Sequence, residues 1–286
     1  MSRLGPDRAT NRVSHQCATT PSPTDQARRL DVRAPDWHNR VMTFELGPNR
    51  PTFPRAAARP ASLSLSEALR TTGAVREFTD QSVDDAVLAR VLDTARFAPS
   101  GGNAQAWRLV VVKDPDRRRR LRDCYLRGSA DYLALHAAGL RPWAPTNDRG
   151  AEARALKTEN PAAPGGFAER FDEAPVLLAL FADLSRLAAV DRDADRYTFA
   201  GGASIYPFAW SILLAARDEG LGGVITTIAI REEPQVKAVL GAADPLALAA
   251  VIALGYPVRR PRRLSRQPIS SFATVDSIDG PVFGAP

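Results

Sequence analysis

The sequence predicts a protein of mixed helices and strands, of the α+β or α/β class, with helices packed on a sheet. Amphipathic helical segments alternate along the chain with short apolar runs of strand length. These signals interleave without any internal repeat. The 286 residues, 44% of them hydrophobic, are enough to bury a core in one large domain or two small ones.

Capping and breaker residues bound five segments whose apolar residues recur at the helical period. Ser64 with Glu67 has the capping-box pattern, and Asp114 followed by Pro115 is a typical helix start. We predict that Ser82 caps the second helix. Glycines follow the last two helices, where they allow a left-handed C-cap. The predicted helices span residues 64–72, 83–97 (ended by Pro99), 115–125, 204–219 and 232–240.

Four short apolar runs predict strands, after an extended segment at residues 75–78. The run from Leu109 to Lys113 begins with a continuous series of leucine and valines, which predicts a strand buried on both faces. The other runs are bounded by glycine, proline or charged residues. The predicted strands span residues 109–113, 175–181, 224–228 and 246–254.

Two stretches lack a regular period. Residues 1–61 are rich in proline, arginine, threonine and alanine, and we predict a disordered extension ahead of a domain that spans residues 62–286. Because Met42 is the only internal methionine, an alternative is that the native chain starts there. Residues 127–172 mix proline, glycine and charge with scattered aromatic residues, which predicts a mobile insert over a site.

The excess positive charge is confined to the beginning of the chain. The formal net charge is +6 and the sequence pI is about 9.8. Residues 1–60 hold ten arginines and five acidic residues, which leaves 28 basic and 27 acidic residues in the rest. A nearly neutral body lacks the basic face that drives phosphate-backbone binding, so we expect no nucleic-acid partner. We interpret the run from Arg117 to Arg120 as a solvated helix face.

Residue counts disfavour several catalytic classes. Of three histidines, His136 alone lies in the predicted domain, which disfavours a Ser-His-Asp site and a histidine-ligated metal, and we expect no metal. The motifs GxSxG and GxxxxGK[ST] are missing, and the run from Gly220 to Gly223 lacks the spacing of a dinucleotide fingerprint. A chain with few reactive side chains fits a protein whose bound cofactor does the chemistry.

The chain has no targeting signal that we recognise. No apolar run approaches the roughly 20 residues that a membrane span requires, and no secretory signal follows Met1. Two cysteines are too few for a disulfide framework. We therefore predict a cytoplasmic protein without a membrane partner.

Two kinds of segment have the composition of ligand-binding loops. Residues 98–107, APSGGNAQAW, offer an accessible backbone at their glycines and a side chain, Asn103, that donates and accepts hydrogen bonds in one plane. The same residue types also form ordinary turns. Two arginine clusters, Arg70 with Arg76 and the run from Arg259 to Arg266, either converge on a phosphate group or form solvated surface loops.

Four segments in sequence resemble the nitroreductase family of FMN-dependent oxidoreductases. They are LRTTGAVREF, APSGGNAQAW with the valine-rich strand after it, GGASIYPFAWSILLAARDEGLGGVITT, and LGYP followed by arginines. Their order and separations match the family over roughly residues 65–280. The resemblance implies a three-layer α+β fold, in which a central, mainly antiparallel sheet has helices on both faces. It also implies a homodimer with two FMN sites at the interface, each built from both chains.

The resemblance assigns part of the FMN to each segment. The arginine clusters would hold the phosphate and the ribityl chain, the loop would contact the isoalloxazine ring with Asn103 at its pyrimidine edge, and the glycine-rich strand would lie near N5. Ala74 stands where many relatives have a hydroxyl residue, and Gly73 stands where they have an arginine. The implied FMN-binding residues are Arg70, Thr72, Gly73, Ala74, Arg76, Pro99, Ser100, Gly101, Asn103, Gln105, Ser204, Gly222, Gly223, Arg263 and Arg266.

The chemistry implied by the resemblance is ping-pong hydride transfer through N5 of FMN. NADH or NADPH would be the donor, and a nitroaromatic, quinone or related small molecule the acceptor. No catalytic side chain is required, since the protein orients the ring and stabilises its reduced form. The alternatives are a relative specialised for reductive dehalogenation or flavin fragmentation, and a protein that binds or sequesters flavin without turnover. Aromatic residues of the insert either form a lid over the acceptor or pack locally: Tyr132, Trp143, Phe167 and Phe171.

Overall fold

Helices and strands alternate along the part of the chain that the computed structural model describes, which is residues 63–157, 164–260 and 263–284. The predicted extension and the alternative start at Met42 lie outside these residues. The helices are α1 (Leu65–Thr71), α2 (Asp85–Ala95), α3 (Pro115–Ala137), α4 (Arg149–Lys157), α5 (Tyr206–Asp218) and α6 (Glu233–Leu240). The strands are β1 (Trp107–Val111), β2 (Val176–Asp183), β3 (Gly222–Thr226) and β4 (Leu246–Gly255).

The four strands form one sheet in the order β1-β2-β4-β3, and every neighbouring pair is antiparallel. At one end, which we call the loop end, Trp107 pairs with Ala182, which pairs with Ala247. At the other, which we call the glycine end, Gly222 pairs with Gly255. At about 3.3 Å per residue, Ala247 and Gly255 lie roughly 26 Å apart along β4.

Helices cover both faces of this sheet, which confirms the implied three-layer α+β architecture. Every residue of β2 is buried, and its side chains alternate between two cores. Leu178 and Leu180 pack with α2 and α5 on one face. Leu177 and Phe181 pack with α3 and α6 on the other. Burial on both faces explains why β2 is a continuous apolar run.

β1 differs from its prediction. It begins at Trp107 and is an edge strand that pairs with β2 alone in this sheet. Arg108 and Val111 are exposed, so the prediction of a strand buried on both faces is wrong. The apolar run could not reveal this because burial depends on which strands flank it, and tertiary pairing decides that.

The N-terminus of α2 also departs from the prediction. Asp84, and not Ser82, is the N-cap, and its Oδ1 accepts a hydrogen bond from the backbone N–H of Ala86 at 2.9 Å. The predicted start at Val83 is therefore two residues early. A carboxylate at this position satisfies a free N–H and interacts favourably with the positive end of the helix dipole.

The capping role of Asp84 can be measured by substitution. We expect Asp84→Ala to lower the free energy of unfolding by about 1 kcal/mol, because the Ala86 N–H loses its acceptor. Urea denaturation followed by circular dichroism measures the change. The matched control is Ser82→Ala, which should have almost no effect; an equal loss in both variants would contradict this assignment.

About half of the predicted insert at residues 127–172 is regular structure among the residues that the structure describes. α3 continues to Ala137, α4 follows, and a one-turn helix spans Phe171–Glu173. Gly128 lies inside α3 at a point where a larger residue would not fit, since a Cβ there would lie only 2.7 Å from the carbonyl oxygen of Ile228. Close packing thus overrides the low helix propensity of glycine, and the prediction of an irregular insert is wrong for residues 127–137 and 149–157.

Two of the four candidate lid aromatics belong to the core. Phe171 is fully buried and stacks on Tyr125, with ring centroids 4.3 Å apart, and the Phe167 ring meets both edge-on. Local packing is therefore the correct alternative for Phe167 and Phe171. Tyr132 and Trp143 contact each other, with centroids 6.0 Å apart, and a lid role for them stays a prediction.

Arg118 connects α3 to the sheet. Its guanidinium donates to the carbonyl oxygens of Val112 at 3.1 Å and Asp172 at 2.8 Å, and also to that of Ala174. Burial lowers the pKa of Arg118. The interpretation of residues 117–120 as a wholly solvated face is therefore wrong at this position.

No helix among the described residues is both long enough and apolar enough to cross a membrane.

Candidate functional site

The loop between α2 and β1 has a constrained backbone. Gly102, Asn103 and Gln105 all have positive φ angles, of 57°, 52° and 48°. Only glycine adopts this conformation freely, so two of these residues carry strain. Strain of this kind clusters at ligand sites, where the surrounding structure enforces it.

Hydrogen bonds hold this loop in place. The Ser100 hydroxyl accepts from the backbone N–H of Gln105 at 3.0 Å, and the Ser204 hydroxyl accepts from the backbone N–H of Gly101 at 2.9 Å. The Gln105 side chain donates to Asn103 Oδ1 at 3.2 Å. Five predicted FMN-binding residues thus meet at the loop end of the sheet, and Pro99, which is exposed, directly precedes them. The exposed Asn103 retains free donor and acceptor capacity for a ligand.

A second segment, residues 184–203, borders this loop and is organised by Asp191. Ala188 lies 3.9 Å from where a Gly101 Cβ would be. The Asp191 carboxylate accepts from the backbone N–H of Phe199 at 2.9 Å and of Ala200 at 3.2 Å, and from Arg196 at 3.0 Å. These hydrogen bonds, chiefly that from Phe199, lower the pKa of Asp191 to about 2. Sequence reasoning missed this residue because its partners lie in an irregular segment.

The lowered pKa predicts a stability contribution that disappears in acid. An aspartate has a pKa of about 3.9 when unfolded, so Asp191 stabilises the fold fully above about pH 4 and loses this effect as the pH falls toward 2. We expect Asp191→Asn to have a lower urea midpoint than wild type at pH 6 and a nearly equal one near pH 2. The other carboxylates titrate alike in wild type and in Asp191→Asn, so they do not contribute to the difference between the two midpoints. A difference that does not depend on pH would contradict the prediction.

The other predicted residues lie at the glycine end of the sheet. Ala74 forms a bridge with Gly223, and the backbone N–H of Val75 donates to the Gly223 carbonyl at 2.9 Å. The segment from Thr72 to Val75 therefore lies directly against Gly222 and Gly223. The Thr72 hydroxyl is buried and has no hydrogen-bond partner among the described residues. An unsatisfied buried hydroxyl fits a site whose ligand supplies the partner.

The two arginine clusters converge in part. Arg70, Arg263 and Arg266 line one open groove of about 1390 Å³ beside α1. Arg76 instead lines a separate cavity of about 470 Å³ with Arg118. The structure thus brings together three of the four predicted phosphate-binding arginines. Groups of guanidinium side chains suit a phosphate dianion.

Gly222 and Gly223 have a packing role that the sequence did not reveal. A Cβ on Gly222 would lie 2.9 Å from Cγ2 of Val75, and one on Gly223 would lie 2.4 Å from the carbonyl oxygen of Ala253. Gly222 therefore allows close contact with Val75, and Gly223 allows close contact with β4, whatever the two glycines contribute to a ligand.

Two further arginines at this end escaped the site prediction. Arg217 and Arg260 line a small cavity with Thr72, Gly73 and Gly222. Arg217 resembles any cation in the last turn of a helix, and Arg260 is one of several arginines in its run. The sequence therefore carried little signal for either.

Among the described residues, no group of His, Cys, Asp and Glu could bind a metal ion.

The architecture defines a nitroreductase-like α+β protein. Its fold resembles that of the solved NADPH:FMN oxidoreductase from Vibrio harveyi complexed with NAD+, with a TM-score of 0.51 and 20% sequence identity. The match covers 74% of this chain and 76% of that one.

The Nitroreductase family matches residues 69–256, and the chain belongs to this family. The match confirms the family and the enzyme class that the sequence implied, an FMN-dependent oxidoreductase. Iodotyrosine deiodinase 1 of Mus musculus is 27% identical over 232 residues, covering 81% of this chain and 75% of the relative. NADH dehydrogenase of Thermus thermophilus is 29% identical over 221 residues, covering 68% and 87%.

Proposed function

We propose that this chain binds FMN, oxidises NADH or NADPH, and reduces a nitroaromatic, quinone or related small molecule. The observation that carries the proposal is the strained loop at residues 100–105, which presents the exposed carboxamide of Asn103. The similarity to NADH dehydrogenase of Thermus thermophilus supports NADH or NADPH as the electron donor. The cytoplasm is the proposed location.

FMN, when bound, supplies a ring that accepts and returns a hydride. The chain's own residues would bind and orient it. The Asn103 carboxamide can donate to and accept from the imide edge of the ring at once, and the Ser100 and Ser204 hydrogen bonds fix the loop beforehand. At the glycine end, Arg70, Arg263 and Arg266 would balance the phosphate charge.

We propose further that each site requires two copies of the chain. The loop with Asn103 lies at one end of the sheet, and residues 72–75, which directly follow the helix α1 that lines the arginine groove, lie at the other. Ala247 and Gly255, at these two ends, are roughly 26 Å apart along β4, farther than one FMN extends. A two-fold dimer would place the loop of one copy against the groove of the other.

Exposed apolar side chains support this dimer. Leu65 on α1 is 70% exposed, and α1 has no buried residue. The segment after β4 exposes Phe272 at 73% and Ile278 at 88%. Large apolar side chains left uncovered in one copy are typical of a surface that another copy covers.

A second candidate is a specialised reductive dehalogenase. The 27% identity to iodotyrosine deiodinase 1 favours it, since the likeness covers 81% of this chain. It uses the same FMN site and differs in the acceptor. An enzyme that fragments flavin, or a protein that sequesters it, would bind FMN at this site without rapid turnover of a nicotinamide donor.

Spectroscopy and turnover test the proposal. We expect the purified protein to absorb like bound flavin and to oxidise NADH or NADPH rapidly with menadione or a nitrofuran. Faster turnover with a halogenated phenol would favour the dehalogenase. A flavin that only dithionite reduces would favour sequestration, and a colourless protein that takes up no FMN would refute the proposal.

Asn103→Ala tests the residue that carries the argument. We expect FMN binding to weaken by about tenfold, since one charge-neutral pair of hydrogen bonds contributes of the order of 1 to 2 kcal/mol. The control is Gln235→Ala, which removes an exposed carboxamide from α6. Unchanged affinity in Asn103→Ala would remove this residue from the site.

A further inference from the structure

Trp143, in the turn between α3 and α4, combines backbone strain with an unsatisfied hydrogen-bond donor. Its φ angle is 54°, in the left-handed region that a bulky side chain rarely adopts. Its indole N–H is buried and has no hydrogen-bond partner among the described residues. Strain and an unpartnered donor at the same residue together indicate a ligand site, because each is unfavourable in the chain by itself.

Hydrogen bonds within the turn hold Trp143 in this conformation. The Asn147 side chain donates to the carbonyl oxygen of Arg141 at 2.7 Å, and the backbone N–H of Ala144 donates to the same oxygen at 3.1 Å. Asn147 also donates to Glu152 on α4 at 2.8 Å. The surrounding structure therefore enforces the strain, as is typical of a ligand site.

An arginine lies over the Trp143 ring. Cζ of Arg231 is 5.3 Å from the ring centroid, which is within the range of a cation–π contact. Arg231 is exposed and has no hydrogen-bond or ion-pair partner in the part of the chain that the structure describes. The Glu152 carboxylate, which the Arg231 charge reaches, accepts instead from Arg149 at 3.0 Å. The N–H groups of Arg231 are therefore free to bind an anion.

Tyr132 adds a second aromatic ring to this place. Its centroid is 6.0 Å from that of Trp143, the two planes are inclined by 55°, and Tyr132 is 40% exposed. Aromatic rings that are partly exposed side by side suit a flat aromatic ligand. A free guanidinium beside an indole N–H suits a carboxylate, the planar anion that arginine binds with paired hydrogen bonds. The combination therefore favours an aromatic acid over a neutral aromatic molecule.

These residues lie beside the strand that carries two of the implied FMN-binding residues. Arg231 belongs to a short helix, Ile228–Glu232, which follows β3 after one residue. The ion pair of Arg127 with Glu232, at 2.8 Å, joins α3 to this helix. Because β3 begins at Gly222, the aromatic residues and Arg231 flank the opposite end of the same strand.

We propose that Trp143 and Arg231 bind the carboxylate of an aromatic acid, and that such an acid is the electron acceptor. This inference rests on the proposed function and narrows its acceptor from nitroaromatic molecules and quinones in general to those that carry an acidic group. The Trp143 N–H and the Arg231 guanidinium would donate to the carboxylate, and Tyr132 would contact the aromatic ring. Binding thus supplies the acceptor that the buried N–H lacks.

Calorimetric titration with para-nitrobenzoate and its neutral counterpart para-nitrobenzamide isolates the charge. We expect full-length wild type to bind para-nitrobenzoate about tenfold more tightly than the amide, because hydrogen bonds to a charged group contribute about that factor. Arg231→Gln should weaken para-nitrobenzoate binding by about tenfold and change para-nitrobenzamide binding by less than about twofold. Arg231→Lys should recover only part of the loss, since an ammonium cannot form the paired hydrogen bonds.

A second variant tests the indole N–H, and a third serves as the control. Trp143→Phe keeps a ring beneath the guanidinium and removes the donor, so we expect para-nitrobenzoate binding to fall by about fivefold. Arg120→Gln removes an exposed cation of α3 and should change neither affinity. Far-ultraviolet circular dichroism verifies that each variant folds. Equal binding of acid and amide by wild type, or the same preference in Arg231→Gln, would overturn the inference.

Turnover separates this inference from the proposed function. We expect the holoenzyme to reduce para-nitrobenzoate with NADH or NADPH, and Arg231→Gln to raise KM for this acceptor with little change in kcat. If wild type binds no FMN, the proposed function fails, and the titration still decides the aromatic-acid site. A holoenzyme that reduces menadione but never reduces bound para-nitrobenzoate would overturn the assignment of this site to the acceptor.

Discussion

Mixing two variants that bind FMN weakly is expected to restore about a quarter of wild-type NADH oxidation, when FMN is kept too dilute to fill the altered sites. One variant is Arg70→Ala/Arg266→Ala, which empties the groove of two cations, and the other is Asn103→Ala. If each site takes its groove from one copy and its loop from the other, a mixed dimer has one doubly altered site and one intact site. Random assortment makes half of the dimers mixed, so about a quarter of all sites are intact.

Co-expression of the two variants with different affinity tags allows the mixed dimer to be purified. We expect it to bind about one FMN per dimer and to show about half of the wild-type activity. The matched control mixes Arg70→Ala with Arg266→Ala, two changes on the same side of the site, and no intact site should form. If the first mixture stays inactive, or the control recovers equally, the shared site is refuted.

Gly223→Ala is expected to reduce the free energy of unfolding by about 3 kcal/mol, since the added methyl group has no space. Its Cβ would lie 2.4 Å from the carbonyl oxygen of Ala253 and 2.5 Å from Cδ2 of Leu254. Both are rigid, because β3 is paired with β4 at this point. For a domain of this size, the melting temperature should fall by about 6 to 12 °C.

The control for this substitution is Gly165→Ala, which has no atom within 4 Å of the added Cβ. We expect its stability to stay within about 0.5 kcal/mol of wild type. The measurement uses apoprotein, so that loss of FMN does not contribute. A Gly223→Ala variant as stable as wild type would show that β3 and β4 separate more easily than this packing indicates.

The sequence predicted helix ends and strands correctly where neighbouring residues along the chain determine them. Asp114 with Pro115 and the left-handed Gly241 bound their helices as expected, and β2 and β4 lie where their apolar runs predict. The prediction failed at α3, which passes through Gly128 because Ile228 packs against it. Propensity was outweighed there by a contact between residues a hundred positions apart.

The same division applies to the candidate site. The composition of residues 98–107 indicated a ligand loop, and the structure adds the strain at Asn103 and Gln105 that a composition cannot show. Arg217 and Thr72 lie beside Gly222 and Gly223 only because α1, α5 and β3 meet at one small cavity. No spacing along the chain indicates that meeting.

By itself, the sequence determined the family, the order of the four strands and of the described helices other than α4, and the segments that carry polar loops and arginines, because these depend on nearby residues. The tertiary structure decided that β1 is an edge strand and that Phe171 is core. It also decided that the Asn103 loop and the segment that follows α1 lie at opposite ends of one sheet. Antiparallel pairing fixes those positions, and strand register is a property of the assembled sheet.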